Sequence, residues 1–256
     1  MVEAEGKISS ALCSSSSPVR RFRAQKPRRP ENGRRRAARR PGGRVDIGAY
    51  DHFELELLAL PDAVARIPDG ATVALGRPPA LGLVRELIRQ GRRDLDLVGV
   101  PTGDIAIELL IAAGCARSLH SSGVDLGEHG QAPAFGRAVE SGALRVTDST
   151  CPALLMALQA GASGIPWTPV PGLLGSDLMT RRPDLRVLEG MAIVPALRPQ
   201  FALVQARRAD PQGDAVIARG EQVIPAAYID VLTVAPSEDA GAATERYLES
   251  ISVHTR

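Results

Sequence analysis

The chain has 256 residues, 44% of them hydrophobic but only 3% aromatic. Its core must be built from Leu, Val, Ile and Ala, as in a parallel sheet covered by helices, and no run approaches the ~20 apolar residues of a membrane span. The net charge of +2 is unevenly divided: residues 1–44 hold 13 Lys and Arg against 3 Glu, leaving 18 Arg against 26 Asp and Glu. The basicity belongs to that arm, so a nucleic-acid reading would be a reading of the arm alone.

Residues 1–50 stand apart, with a serine run at Ser14–Ser17 and an arginine-rich stretch from Arg20 to Arg44. Apolar periodicity is lacking, so this segment cannot bury enough surface to offset the entropy of ordering. Arg-rich, Ser-rich composition also fits a transit peptide, but Glu3 and Glu5 sit badly at its front. A disordered basic extension, or a translation start placed too far upstream, fits better, and no nucleic-acid role is expected of it.

From residue 54 the pattern changes to strand-length apolar runs alternating with helical periods. Ala71–Leu75 reads as a strand, followed by a helix over Pro79–Gln90 with Leu81, Val84, Leu87 and Ile88 on one face. A second buried strand at Leu95–Val100 precedes a helix over Asp104–Ala113. Short strands are predicted at Arg117–Ser121 and Leu144–Val146, with helices over Pro133–Ser141 and Pro152–Ala160. Gly91, Gly114, Gly142 and Gly161 follow helical stretches where a left-handed residue is wanted. Ile165–Asp184 is rich in Pro and Gly, which excludes a regular element, although its apolar content says it packs. Later strands are predicted at Ala192–Pro195, Phe201–Gln205, Ala215–Ala218 and Asp230–Val234. The alternation implies an α/β fold with a mainly parallel sheet and helices on both faces, over residues 54–235. Residues 236–256 form a separate tail.

Several chemistries are excluded. No glycine-rich dinucleotide fingerprint, phosphate loop or nucleophile elbow is present. Beyond residue 44 there is no lysine for a Schiff base, and His52, His120, His129 and His254 lack metal-ligand spacing. Cys13, Cys115 and Cys151 suggest reduced thiols in a cytoplasmic protein rather than a disulfide framework.

The positive candidates lie at predicted strand ends, where open α/β sheets hold ligands. Ser121, Ser122 and Gly123 lead to Glu128 and His129, which suit acid–base work or a solvated loop. Gly175, Ser176 and Asp177 could offer backbone N–H groups to a thioester carbonyl, or form a turn with Asp177 capping a short helix. Cys151, just before Pro152, sits at a helix N-terminus, either as a nucleophile or as a half-buried cap. Gly76 and Arg77, between a strand and a helix, could face a pyrophosphate, and Asp104 reads as a helix cap.

These segments, taken in order, resemble alpha-type subunits of class I CoA-transferases, and within them the glutaconate CoA-transferase-like branch. The match is carried by Leu83–Gly91 with Asp94–Val98, Ser121–Gly130, Phe135–Gly142, Leu158–Gly161, Gly164–Trp167, Gly172–Asp177 and Ala209–Gly213. The resemblance implies a CoA-transferase or phosphosugar-isomerase-like sandwich, working in a heterodimer or heterotetramer with a beta-type partner subunit. It implies no bound cofactor, an acyl-CoA and a small carboxylic or dicarboxylic acid as substrates, and a nucleophilic glutamate on the partner. The alpha-type half would shape the acid pocket. Departures are the Gly76-Arg77-Pro78-Pro79 turn, where relatives carry a glycine pair, and Cys151, where some ring-opening hydrolases of steroid breakdown carry a glutamate. An acyl-CoA hydrolase subunit using Glu128 or Cys151, or a non-catalytic acyl-CoA-binding relative, are the alternatives.

Overall fold

A computed structural model describes residues 56–209, 215–217, 223–224, 231–233 and 239–253. The basic arm of residues 1–50 and the ends of the last two predicted strands lie outside these residues. The chain begins with β1 (Glu56–Leu58) and α1 (Leu60–Ala65), then β2 (Thr72–Gly76), α2 (Leu81–Arg89), β3 (Leu95–Val100), α3 (Ile105–Ala112) and β4 (Ala116–Ser121). A 3-10 turn (Gly127–His129) precedes α4 (Pro133–Glu140), β5 (Arg145–Asp148) and α5 (Cys151–Ala162). Next come β6 (Trp167–Pro169), α6 (Leu178–Arg181), β7 (Arg186–Leu188), β8 (Met191–Pro195) and β9 (Phe201–Leu203). The last elements are β10 (Ala206–Ala209), β11 (Ala215–Ile217), β12 (Val223–Ile224), β13 (Val231–Thr233) and α7 (Ala240–Val253).

Five parallel strands form the main sheet in the order β5-β4-β3-β2-β9. Its near-continuous apolar strands are covered on both faces, as parallel sheets require. On one face, Val73, Leu75, Leu95, Leu97 and Leu119 pack with Leu81, Val84 and Leu87 of α2 and Ile107 and Leu110 of α3. On the other, Ala74 and Val98 pack against Leu154 of α5. Full burial of a side chain such as Leu87 stabilises by about 1.5–3 kcal/mol. Gly91, Gly114 and Gly142 take positive φ after α2, α3 and α4, as their predicted capping role requires.

Gly161 does not. α5 runs past it, and Gly164 (φ +73°) takes the left-handed position instead. Gly161 lies where a Cβ would overlap Leu197 O. The glycine serves a close backbone crossing, a role that local sequence cannot distinguish from capping.

The Pro-rich stretch is more regular than its composition predicts. It holds β6 and α6, and β6 joins β8 and β7 in a small antiparallel sheet of order β6-β8-β7. β6 is an edge strand, where a missing proline N–H costs no ladder bond. The β7–β8 hairpin turns through Glu189 (φ +49°) and Gly190 (φ +75°), both left-handed as a tight two-residue turn demands. Ala192 and Val194 pack with Ala153, Ala157, Val170, Leu173 and Leu185 in a second core beside α5.

The tail contains a helix that local sequence signals leave unassigned. Ala243 of α7 joins the main core, with Tyr247 and Leu248 packed against it. Glu108 of α3 is fully buried. Its Oε1 accepts from Ala134 N at 2.6 Å and Tyr247 Oη at 2.7 Å, and its Oε2 accepts from Phe135 N at 2.9 Å. One carboxylate thus caps α4, where N–H groups lack helical partners, and also anchors α7.

Candidate active site

Four consecutive loops leave the carboxyl ends of β2, β3, β4 and β5, where doubly wound sheets place their ligands. Two of them are zipped together. Gly103 N donates to Gly123 O at 2.8 Å and Asp125 N to Gly103 O at 3.2 Å. Ser121, 3% exposed, directs Oγ into this junction, where it accepts from Gly103 N at 3.2 Å and lies 2.8 Å from Gly123 O. The approach needs glycine: a Cβ at Gly99 would fall 2.8 Å from Ser121 Oγ, and one at Gly103 would fall 3.0 Å from Val124 Cγ2. Neither glycine belongs to a recognisable motif, so sequence reasoning misses both.

Ser122 faces the other way. Its Oγ donates to Pro101 O at 2.8 Å and lies 2.9 Å from Thr102 Oγ1 and 3.2 Å from Cys151 Sγ. Thr102 Oγ1 is 3.7 Å from the same sulfur. Cys151 opens α5, as the position of Pro152 implies, and Thr150 caps the helix by accepting from Ala153 N at 3.2 Å. The thiol is exposed. The Ser122 hydroxyl, and then that of Thr102, hold its pKa below the ordinary thiol range.

Arg77 occupies the rim. Its Nη2 lies 3.4 Å from both carboxylate oxygens of Asp125, and its Nε lies 3.9 Å from Asp104 Oδ2. Asp104 is itself held, since Oδ1 caps α3 by accepting from Ala106 N at 3.0 Å. Burial pushes its carboxyl up, against the pull of that N–H and of Arg77. Asp125 Oδ1 also accepts from Gly127 N at 3.0 Å. Gly76, in register with Val100, has space for a Cβ at ordinary contact distance.

A second buried group supports the floor. Arg182, 8% exposed, donates from Nε and Nη2 to Asp184 and from Nη1 to Asp148 O at 3.1 Å. Nη1 also lies 3.3 Å from His120 Nε2 on β4. Burial and the neighbouring guanidinium push His120 down to about 4, so it is a neutral acceptor at pH 7. This pairing ties α6 to the β5 end that delivers Cys151. Nothing in Arg181-Arg182-Pro183 marks the second arginine as the buried one.

Arg77, Ser121, Ser122, Gly123 and Cys151 are therefore brought together, with Thr102, Asp104 and Asp125 added by the fold. Glu128 and His129 follow at the rim: the Glu128 side chain is 90% exposed, and its Oε1 is 4.0 Å from His129 Nε2. Gly175, Ser176 and Asp177 take no part in the cluster's hydrogen bonds or ion pairs. Ser176 N and Oγ both donate to Leu173 O, at 3.1 and 2.6 Å, and Asp177 precedes α6 without a side-chain cap bond. Among the described residues no group of three or more His, Cys, Asp or Glu could hold a metal, and no helix is long and apolar enough to cross a membrane.

The sequence matches the Coenzyme A transferase family over residues 58–235. The chain belongs to that family. It is 37% identical over 177 residues to one subunit of the 3-oxoadipate CoA-transferase of Pseudomonas knackmussii, a match that covers 63% of this chain and 62% of that one. The chain thus spans less than two thirds of that relative's length. The fold superposes on a variant of the decarboxylase AibA/AibB with a TM-score of 0.68 and 27% identity, over 78% of this chain and 94% of that chain. Glutaconate coenzyme A-transferase of Acidaminococcus fermentans shares the fold, with a TM-score of 0.59 and 24% identity over 64% and 61% of the two chains. The matched residues 58–235 include all four loops, on which hydroxyl groups, a guanidinium and a thiol are carried.

Proposed function

We propose that this chain is the alpha-type subunit of a cytoplasmic CoA-transferase that moves CoA between an acyl-CoA and a small carboxylic or dicarboxylic acid. The nucleophile is a glutamate of a beta-type partner, in a heterodimer or heterotetramer. The observation that carries this reading is the state of the cluster's carboxylates: Asp104 caps α3 and faces Arg77, and Asp125 is held by Arg77 and Gly127 N. Both are committed to Arg77 and to backbone N–H groups. Exposed Trp167, Leu188 and Met191 on the small sheet support an assembly that covers them.

The partner's carboxylate attacks the thioester carbonyl and expels CoA thiolate, leaving an acyl-glutamyl anhydride. The thiolate then attacks the glutamyl carbonyl and releases the first acid. The resulting glutamyl-CoA thioester passes CoA to the acceptor acid by the reverse steps, splitting one difficult transfer into easier ones. This chain's part is to bind the substrates against Ser122 and Thr102, whose hydroxyls can turn from their resting partners, Pro101 O in the case of Ser122, to donate to oxygen carrying developing charge. No bound cofactor is required.

A second reading rests on Cys151, whose acidic, exposed thiol could attack a thioester within a hydrolase. Incubating the purified complex with acyl-CoA and an isotope-labelled acid separates the two. Transfer moves label into the CoA thioester pool and survives Glu128→Gln within a few-fold. Free CoA accumulating without label transfer, and ceasing in Cys151→Ala, would favour hydrolysis.

A further inference from the structure

Gly175–Asp177 and α6 lie outside the cluster's hydrogen bonds, yet the segment they belong to is fastened to α5. Leu173 and Leu185, both buried, pack with Ala153 and Ala157 of α5, and Leu178 and Met179 lie against the same core. Arg182 stands among these anchors and is itself buried. Its guanidinium is a planar fork of N–H donors whose directions are fixed once two of them are engaged. Nε and Nη2 take the two carboxylate oxygens of Asp184, which neutralises the buried charge. Nη1 is thereby aimed at the main sheet, where it donates to Asp148 O at 3.1 Å and meets His120 Nε2 at 3.3 Å.

These contacts reach the side of the sheet where the thiol sits. His120 pairs with Val98, and Val98 packs against Leu154 of α5, so His120 stands on the face that α5 covers. Asp148 ends β5, and only Ser149 and Thr150 separate it from Cys151. That turn is tightly held: Ser149 is buried, and Thr150 caps α5 by accepting from Ala153 N at 3.2 Å. A shift at Asp148 O is therefore passed on to Cys151, whose Sγ lies 3.2 Å from Ser122 Oγ. A buried ion pair of this kind adds little stability over apolar side chains of the same volume. The direction it gives to Nη1 is what sets it apart.

We infer that Arg182 is a positioning residue of the candidate active site: through Asp148 O it fixes the turn from β5 to α5, and with it the contact between Cys151 and Ser122. The Gly172–Asp177 loop then serves the site by leading into the segment that holds Arg182. The positioning role rests on the geometry of the cluster, and its effect on turnover rests on the CoA-transfer reading.

The test uses the full chain purified from its host with any companion subunit, carrying Arg182→Met, Arg182→Lys or Asp184→Asn. Tyr247→Phe, packed on the other side of the sheet, controls for lost stability. Iodoacetamide labelling of Cys151 is followed against pH at its own peptide by mass spectrometry, with folding checked by melting temperature. Arg182→Met is expected to raise the labelling midpoint by about half a pH unit, slowing labelling at pH 7 about threefold. The limiting rate at alkaline pH should stay within about twofold, because the thiol is exposed in either case. Arg182→Lys lacks the fork that serves Asp184 and Asp148 O together, and should fall between the parent and Arg182→Met. Asp184→Asn, at a partly exposed side chain, loosens the fork without removing it and should shift the midpoint the same way. It decides the matter if Arg182→Met does not fold. In label transfer between acyl-CoA and acid, Arg182→Lys is expected to lower kcat about tenfold and leave KM for the thioester within about twofold. A parent-like midpoint in the folded variants, or an equal shift in Tyr247→Phe, would overturn the inference. So would a raised midpoint with kcat unchanged. A parent complex that transfers no label would defeat the CoA-transfer reading instead, and the labelling midpoints alone would then decide the role of Arg182.

Discussion

Ser122 Oγ lies 3.2 Å from Cys151 Sγ, joining a residue after β4 to the first residue of α5 across two strand-end loops. The Ser122 hydroxyl can turn its one proton from Pro101 O to a thiolate, which favours the ionised form and lowers the pKa. Replacing Ser122 with alanine is expected to move the midpoint of the pH–alkylation profile of Cys151 upward, with Thr102→Ala acting in the same direction but less. Iodoacetamide labelling read by intact mass measures it. An unchanged midpoint in Ser122→Ala would mean that the contact does not set the thiol's acidity.

Glu108 offers a test of the scaffold. Tyr247→Phe removes one bond to a buried carboxylate and is expected to cost about 1–2 kcal/mol in urea unfolding. Glu108→Ala leaves the Ala134 and Phe135 N–H groups unpaired beside a cavity, and is expected to cost about 3–5 kcal/mol. Equal and small effects would show that α7 is not anchored through this pair. The Tyr247 hydroxyl is pushed above its ordinary pKa by burial and then by Glu108.

Near pH 5 the His120–Arg182 pair should become visible. The folded pKa of His120, about 4, lies below its ordinary value of 6.5. As pH falls through that interval, the unfolded chain takes up a proton that the folded chain refuses. Stability therefore falls from about pH 6.5 to about 4, by at most about 1.4 kcal/mol per pH unit from this group, and His120 adds no further loss below that. His120→Gln, which keeps an acceptor for Arg182, should flatten the slope of melting temperature against pH. A variant slope as steep as the parent's would assign the dependence to other groups.

Gly161→Ala tests the crossing of α5 by the chain at Leu197. The new Cβ would overlap Leu197 O, next to the bond that Leu197 N makes to Ala157 O at 2.9 Å. The variant is expected to lose about 3 kcal/mol or more, although alanine is the better helix former by about 1 kcal/mol. A gain in stability would mean that the backbone has room to separate there.

Most of the scaffold is legible because its signals are local. The apolar runs at Leu95–Val100 and around Val73, with helices carrying one apolar face between them, predict a parallel sheet without knowledge of contacts. Asp104 at the start of α3 and Cys151 at the start of α5 follow from capping and proline rules. What escapes prediction depends on distant partners. Proline content conceals β6 because an edge strand forgives a missing N–H, and Gly161 imitates a cap because the carbonyl it accommodates comes from residue 197. The site divides in the same way. Ser121 and Ser122 stand out as a polar pair between a strand and a glycine, but Gly99, Gly103 and Arg182 act in the site through residues 18 or more positions away, Ser121 for the glycines and His120 for the arginine. Gly175–Asp177 has the composition of a binding loop, yet Ser176 is occupied within its own turn.

The central claim is that the attacking carboxylate comes from another chain. The most direct measurement is borohydride reduction of the native complex during incubation with acyl-CoA, followed by peptide mapping. A glutamyl-CoA thioester is reduced to an alcohol that marks the nucleophile permanently. The account predicts the modified glutamate on a second subunit of comparable abundance, with none on this chain. Modification of Glu128, or an acyl group recovered on Cys151, would contradict it and assign the chemistry to this chain alone.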